Sequence, residues 1–290
     1  MNYLFFYYGT VPKYVEICFN NILNVDSDAK IYLMTNQNLK LNNVNILSMN
    51  DSSLNSQTEK FSSFFTDTNL TSNPLWATSL MRIYALKEIK EYYSLDEFVH
   101  FDTDVLIYKS FNEVAKIYKF DKNKISITPN DPRNLVFGYS YFPKSYLINQ
   151  LIDQLNKNLE DYSLLKNIYN RGKDIPEMRH LGIIDDSDIN IFSKLPTLPY
   201  NDERIIFDPA GYGQYLNGVH KNRGNYIFKR RWISQQHYVG AELKSKRIRF
   251  KFHNSPYVLY DKKKIELANL HIHSKKLSNF LKNKQKNYIN

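Results

Sequence analysis

Residues 98–107 read Phe-Val-His-Phe-Asp-Thr-Asp-Val-Leu-Ile, an apolar run ending on two carboxylates, Asp102 and Asp104, with one residue between them. The four residues before Asp102 predict a strand buried on both faces, the kind found in a parallel sheet. Ligands of such open sheets sit beyond the carboxyl ends of the strands. Side chains two apart on an extended segment point the same way, so Asp102 and Asp104 are expected to share one cation. Hard divalent ions, Mn²⁺ or Mg²⁺, favour such oxygen ligands and also hold substrate phosphates. An acidic metal site at a strand end of a basic chain points to an enzyme handling a phosphorylated donor. The same Asp-Thr-Asp also suits a plain turn after a strand, because Asp and Thr are favoured turn residues.

The chain has 290 residues with 42% hydrophobic content, enough for one large domain or a core domain with elaborations. A formal net charge of +10 and a pI near 9.3 fit nucleic acid, an anionic membrane face or a polyanionic substrate, without choosing between them. The 23 Tyr and 18 Phe suit stacking on sugars or bases and equally suit a core. A single Cys18 excludes a disulfide framework and points to a reducing compartment. Residues Met1–Gly9 lack a basic start and a small-residue cleavage site, so they read as a first strand rather than a signal peptide. No stretch is long and apolar enough to span a bilayer. The expectation is a cytoplasmic protein.

The first half alternates strand-like and helix-like segments. Leu4–Tyr8 predicts a strand ending at Gly9, Pro12–Leu23 a helix, Lys30–Thr35 a second strand and Val44–Leu47 a weaker third. Such alternation indicates a mostly parallel sheet covered on both sides, an α/β fold. Residues 50–73 are rich in Ser, Asn and Thr and predict an irregular loop. Asn73-Pro74 then provides a cap and a first-position proline for a helix from Leu75 to about Tyr92. On that helix Arg82 shares the apolar face with Ala85, Leu86 and Ile89, where a bare charge is costly. It either pairs with a buried acid or emerges at the cleft to meet a phosphate. The second half reads as elaborations on the same sheet.

Four stretches together resemble glycosyltransferases of the GT-A fold (Rossmann-like, with a mostly parallel central sheet and flanking helices). The resemblance is greatest to the glycogenin-like and bacterial lipopolysaccharide galactosyltransferase group and related bacterial and viral sugar transferases. Residues 11–35, with Val15, Cys18, Asn21 and the strand Ile31–Thr35, resemble the group's opening nucleotide-binding unit. Ala77–Leu86 followed by Val99–Leu106 resembles its pairing of a helix arginine with Asp-x-Asp. Asp185-Asp-Ser-Asp-Ile-Asn190 resembles its Asp-Gln-Asp-x-Leu-Asn, with Ser187 in place of Gln. Asn269-Leu-His-Ile-His-Ser-Lys275 resembles its late His segment, without the usual Gly and Pro-Trp. Val136–Phe142 departs from the group's Asn-x-Gly, and Ile206–Leu216 resembles a segment of uncharacterised bacterial and phage transferases with no assigned role.

The resemblance implies a GT-A domain over residues 1–275, followed by a basic tail, 276–290. It implies metal held by Asp102, Asp104 and His271, with Mn²⁺ or Mg²⁺ as cofactor. Donor binding falls to Tyr8, Gly9, Arg82, Asp102, Thr103, Asp104, His273 and Lys275, and catalysis to Asp186 and Asp188. The implied partners are a nucleotide-sugar donor (a UDP-hexose) and a glycan or glycolipid acceptor in surface polysaccharide synthesis, with no nucleic acid. Leu277 and Phe280-Leu281 among several lysines predict an interfacial helix on an anionic membrane, which would place the enzyme peripherally on the inner face. The basic clusters Lys229–Trp232 and Lys244–Lys251 match no nucleic-acid motif and read as solvated faces. His100 is expected to pack inside the sheet. Two rivals stay open: a non-catalytic protein binding a nucleotide-sugar or RNA, and a haloacid dehalogenase-type phosphatase. The phosphatase normally wants Thr or Val where Leu106 stands.

Overall fold

The computed structural model describes residues 1–51, 54, 75–216 and 234–281. The expected loop beyond residue 51 (apart from Leu54), the Asn73-Pro74 cap, the Lys229–Trp232 cluster and tail residues 282–290 lie outside the described residues.

Seven strands form the central sheet in the order β3-β2-β1-β4-β7-β6-β8. They are β1 (Asn2–Tyr7), β2 (Lys30–Thr35), β3 (Val44–Ser48), β4 (Phe98–His100), β6 (Ile125–Asp131), β7 (Asn134–Phe142) and β8 (Phe192–Lys194). The β1–β2, β2–β3, β1–β4 and β6–β8 pairs are parallel, whereas β7 runs antiparallel to both neighbours. Six strands therefore point one way, and their carboxyl ends define one edge of the sheet. The α/β reading holds. A short β5 (Val105–Ile107) follows the Asp pair and joins β13 (Asn269–His271) in a two-stranded ribbon. A second, four-stranded sheet contains β9 (Ile205–Ile206), β10 (Arg249–His253), β11 (Ser255–Tyr260) and β12 (Lys263–Leu267).

The helices are α1 (Lys13–Val25), α2 (Leu75–Tyr92), α3 (Phe111–Ile117), α4 (Ser145–Glu160), α5 (Tyr162–Asn170), α6 (Glu177–Asp185), α7 (Tyr212–Tyr215) and α8 (Tyr238–Lys244). Among the described residues no helix is long and apolar enough to cross a membrane. The sheet separates two apolar clusters. One packs Val15, Cys18, Phe19 and Ile22 of α1 against Phe5 and Phe101; the other packs Leu80, Ile83, Leu86 and Ile89 of α2 against Leu4, Phe98 and Phe137. Adjacent strand residues alternate between these clusters, so strands buried on both faces read as continuous apolar runs.

The tail expectation changes here. Leu277 and Phe280 form a short 3₁₀ turn and are buried in the first cluster, where the Tyr108 hydroxyl donates to the Phe280 carbonyl at 2.7 Å. Side chains committed to the core are not available to a bilayer, and the packed chain runs on past 275.

One buried base makes stability pH-dependent. His180 on α6 is fully buried, its ring stacked on Tyr162 at 5.8 Å, and neither ring nitrogen has a hydrogen-bond partner among the described residues. Burial pushes its pKa down from 6.5 to about 4. The unfolded chain binds the proton more tightly, so stability is full above pH 6.5 and declines as pH falls towards 4. The loss should reach about 3 kcal/mol, at 1.36 kcal/mol per pK unit. Urea unfolding at pH 7 and 4.5 should show this slope, and His180→Leu should flatten it. A slope of the same size in the variant would refute the assignment.

Candidate active site

β4 ends at His100, which is buried, with Nδ1 2.8 Å from the Leu4 carbonyl of β1. Beyond it the chain turns rather than staying extended: the Val105 N–H donates to the Asp102 carbonyl at 3.0 Å, and the Asp102 N–H is held by the Phe137 carbonyl. Asp102 and Asp104 are thus not brought together by strand alternation as the sequence implied. Instead, β5 leaves the turn and pairs with β13 so that His271 lies opposite Val105. Asn21 of α1 fixes β5 from the other side, bonding Ile107 through both its N–H and its carbonyl.

This pairing places His271 Nε2 3.1 Å from Asp104 Oδ1 and 3.4 Å from Asp102 Oδ2. The other ring nitrogen, Nδ1, lies 2.9 Å from the Pro209 carbonyl. A carbonyl can only accept, so Nδ1 carries a proton and the ring turns its Nε2 towards the two carboxylates. Histidine metal ligands characteristically give their second N–H to such a carbonyl. Asp104, His271 and His273 bring ligand atoms within 4.8 Å of one another. The residues present therefore fit a divalent ion.

Cations flank the acids. The Lys275 ammonium is ion-paired to Asp104 Oδ2, and the same ammonium sits 5.4 Å above the Tyr14 ring. The Tyr14 hydroxyl hydrogen-bonds the Thr103 side chain. Burial alone would raise the Asp104 pKa, yet His271, Lys275 and His273 around it hold the carboxyl well below its usual range. Arg82 is ion-paired to Asp102 Oδ1, a partly buried acid. Its NH2 group also donates to both oxygens of Glu177, at 2.8 and 2.6 Å, and its guanidinium lies 5.1 Å from the centre of the Phe137 ring. Burial raises the Glu177 pKa and Arg82 lowers it, the first effect being larger.

Glu177 is the site residue that the sequence reading missed. It opens α6 directly after Pro176, and a proline followed by an acid in the first turn was the available signal of a helix N-terminus. Asp186 and Asp188 lie elsewhere. α6 carries the chain away from Glu177, and at 1.5 Å per residue Asp186 lies roughly 13 Å further along its axis. Asp186 has a half-exposed side chain, 4.0 Å from Arg179. Asn190 meets Lys124, and the Ile191 carbonyl accepts from the Ile125 N–H at the first residue of β6, the amino-terminal edge of the sheet. The Asp185–Asp188 run closes a helix instead of capping one that starts near Ile189. The structure does not bring Asp186 or Asp188 to the cluster.

At the carboxyl end of β1, Tyr8 is half-exposed, and Gly9 takes a left-handed φ of 91° while its N–H donates to Asn36 at 2.7 Å. Both stand at the same sheet edge as the Asp pair, since β1 and β4 are parallel. Cys18 is buried, and burial and Asp104 raise its thiol pKa well above normal, which makes it core material rather than a nucleophile.

Segment 206–216 acquires a place. The buried Asp208 carboxylate accepts from the N–H groups of Gly211, Tyr212 and Gly213 at the start of α7, and from the His271 N–H at 3.0 Å. Asn269 ties the Asp208 and Gly138 carbonyls together, each at 3.0 Å. A Cβ on Gly213 would stand 2.0 Å from the His271 carbonyl, so only glycine lets α7 lie this close to β13.

Fold and site together describe an α/β protein with an acid–histidine cluster at the carboxyl edge of its sheet that could hold a metal ion. Its structural neighbours are glycosyltransferases. Galactosyltransferase LgtC, crystallised with donor and acceptor sugar analogues, is 13% identical, with 81% of this chain and 84% of that chain covered and a TM-score of 0.47. Mouse xyloside xylosyltransferase 1 is 9% identical over 68% of this chain and 86% of its own, with a TM-score of 0.45. GlyE of Streptococcus pneumoniae TIGR4 is 13% identical over 81% and 52%, with a TM-score of 0.42. No protein-family model matches the chain. No curated protein matches it.

Proposed function

We propose that this protein is a metal-dependent glycosyltransferase that moves a hexose from a nucleotide-sugar, UDP-linked, to a glycan or glycolipid acceptor in surface polysaccharide synthesis. One observation carries the reading: Asp102, Asp104 and His271 converge on a cation position, with Lys275 on one side and the Arg82–Glu177 pair on the other. A donor diphosphate needs cations as its leaving charge grows, and the departing sugar, which gains oxocarbenium character, needs a carboxylate.

Each residue has a part. Asp102, Asp104 and His271 would hold Mn²⁺ or Mg²⁺, whose charge would offset the negative charge growing on the leaving diphosphate. Lys275 is released from Asp104 to hydrogen-bond the diphosphate, with Thr103 beside it. Tyr8 offers an exposed ring to the nucleoside, and Gly9 a backbone with no side chain in the way. Arg82, steadied by Asp102 and Glu177, faces the donor, and Glu177 is the carboxylate placed to orient sugar hydroxyls or steady the cation. Asp186 and Asp188 have no part in this scheme.

The test is a panel of nucleotide-sugars incubated with the full chain and Mn²⁺, following nucleotide release. Release from one donor that stops with chelator is the expected outcome. Metal-dependent binding without release would favour a non-catalytic binder, and cleavage of a simple phosphomonoester would favour a phosphatase.

A further inference from the structure

The basic run Lys244–Lys251 and the strands that follow it form one charged surface. In the four-stranded sheet, Phe250, Phe252, Val258 and Ile265 turn into the first apolar cluster. Alternation sends the residues between them outward. Register then sets two rows across β10, β11 and β12: Arg249–Leu259–Lys264, and Lys251–Tyr257–Glu266. Arg249 and Lys251 stand about 7 Å apart along β10, and Lys264 lies about 10 Å across the sheet from Arg249. All three cations are exposed. Glu266, the acid of this face, is engaged by Lys109 at 2.7 Å. Among the described residues, Arg249, Lys251 and Lys264 have no acid partner. Like charges gathered in this way cost free energy and set up a positive field. Cations on an edge strand guard against pairing with another sheet, which accounts for β10. Lys264 is different, because β12 is an interior strand and needs no such guard.

We propose that this sheet face is a docking surface for a polyanionic glycan chain, one that carries carboxylates. Charge complementarity carries the proposal, and the choice of a glycan among polyanions rests on the glycosyltransferase reading above. The face itself argues against two other polyanions. Single-stranded nucleic acid is held with open aromatic rings on which its bases stack. Tyr257 is the ring of these two rows, and the Lys264 ammonium already stands 4.7 Å from its centre. A bilayer is gripped by apolar side chains as well as cations. Among the described residues, none of the exposed large apolar side chains lies on β10, β11 or β12. Position supports a role in holding the acceptor. β12 runs directly into β13, so Lys264 precedes His271 by seven residues. That is at most about 25 Å of extended chain, which keeps a polymer on this face within reach of the cation position.

The experiment uses the full chain at low ionic strength, with polygalacturonate as the carboxylated glycan and dextran as its neutral counterpart. Polygalacturonate should bind, more weakly as salt rises, and dextran should not. Replacing Arg249→Gln, Lys251→Gln and Lys264→Gln together should weaken binding roughly tenfold or more, the scale of several cations facing an anionic surface. A charge-matched variant, Lys116→Gln, Lys119→Gln and Lys157→Gln, should stay within about twofold of the parent, because charges beyond a Debye length act little. Circular dichroism confirms that each variant is folded. Equal losses in the two variants would reduce the effect to net charge and overturn the proposal. Tighter binding of oligothymidylate or of phosphatidylglycerol vesicles than of polygalacturonate would also overturn it, as would no polygalacturonate binding at all. Nucleotide release in the absence of any glycan should be equal in the parent and the first variant, so the transferase reading stands or falls separately.

Discussion

Glu177→Ala should lower unfolding free energy by about 3–5 kcal/mol, the usual cost of removing one partner from a buried ion pair. The Arg82 and Glu177 side chains are only 13% and 6% exposed, so water cannot take over from the lost carboxylate. Arg82 would keep only Asp102, and the guanidinium above Phe137 would swing towards that single acid. For a chain of this size each kcal/mol shifts Tm by about 2–4 °C, so the drop should be near 10 °C. Donor turnover should fall by a hundredfold or more, because displacing a positioning cation by about 1 Å has that effect. Glu177→Gln keeps an oxygen for Arg82 and should recover most of the Tm but not the turnover. Thermal melting and nucleotide release together check this. A Glu177→Ala protein within about 1 kcal/mol of the parent would show that the pair is not a structural unit.

Asp104→Ala should have the larger effect on chemistry. Asp104 is the buried acid that His271, Lys275 and the candidate ion all face. Its removal takes away one of the carboxylates set to hold the ion and leaves His271 and Lys275 without their shared counter-charge. Losing the Lewis acid removes several kcal/mol of leaving-group stabilisation, so nucleotide release should fall roughly a thousandfold or more. Mn²⁺ binding should vanish alongside. Stability should fall as well, because His271, Lys275 and His273 favour the ionised Asp104 in the fold and lose that partner. Retained metal-dependent release in Asp104→Ala would remove the basis for the proposed function.

The parallel half of the fold is visible in the chain because its signals are local. Lys30–Thr35 and Leu75–Tyr92 have the expected bounds, each set by an apolar run with polar flanks. β1 and α1 differ from expectation by one or two residues at their ends, where capping geometry decides. The antiparallel β7 and the four-stranded sheet are less legible, since pairing partners far apart in sequence leave no periodic trace. Asp102, Asp104 and His271 could be picked out, but not the reason they meet, because the β5–β13 ribbon depends on the whole intervening chain. The acids at 185–188 mislead for a definite reason. Asp and Ser are favoured at helix N-caps and also in the turn that follows a helix, and only the course of α6 shows that this run ends one. Glu177, a lone acid after a proline, carries no comparable pattern. Asp208 is an ordinary residue made important by what it touches.

The ribbon has a further consequence for the order in which the protein becomes competent. Asp102 and Asp104 leave the ribosome long before His271 and Lys275, with the rest of the sheet and the α6 acid made in between. A nascent chain can pair β1, β2, β3 and β4 and bury their apolar faces while the cation site is still missing a wall. Contacts spanning this much sequence form late and slowly. Asp102 can pair with Arg82 in the meantime, but Asp104 waits for His271 and Lys275. The acid–histidine cluster is complete only once β13 has paired with β5.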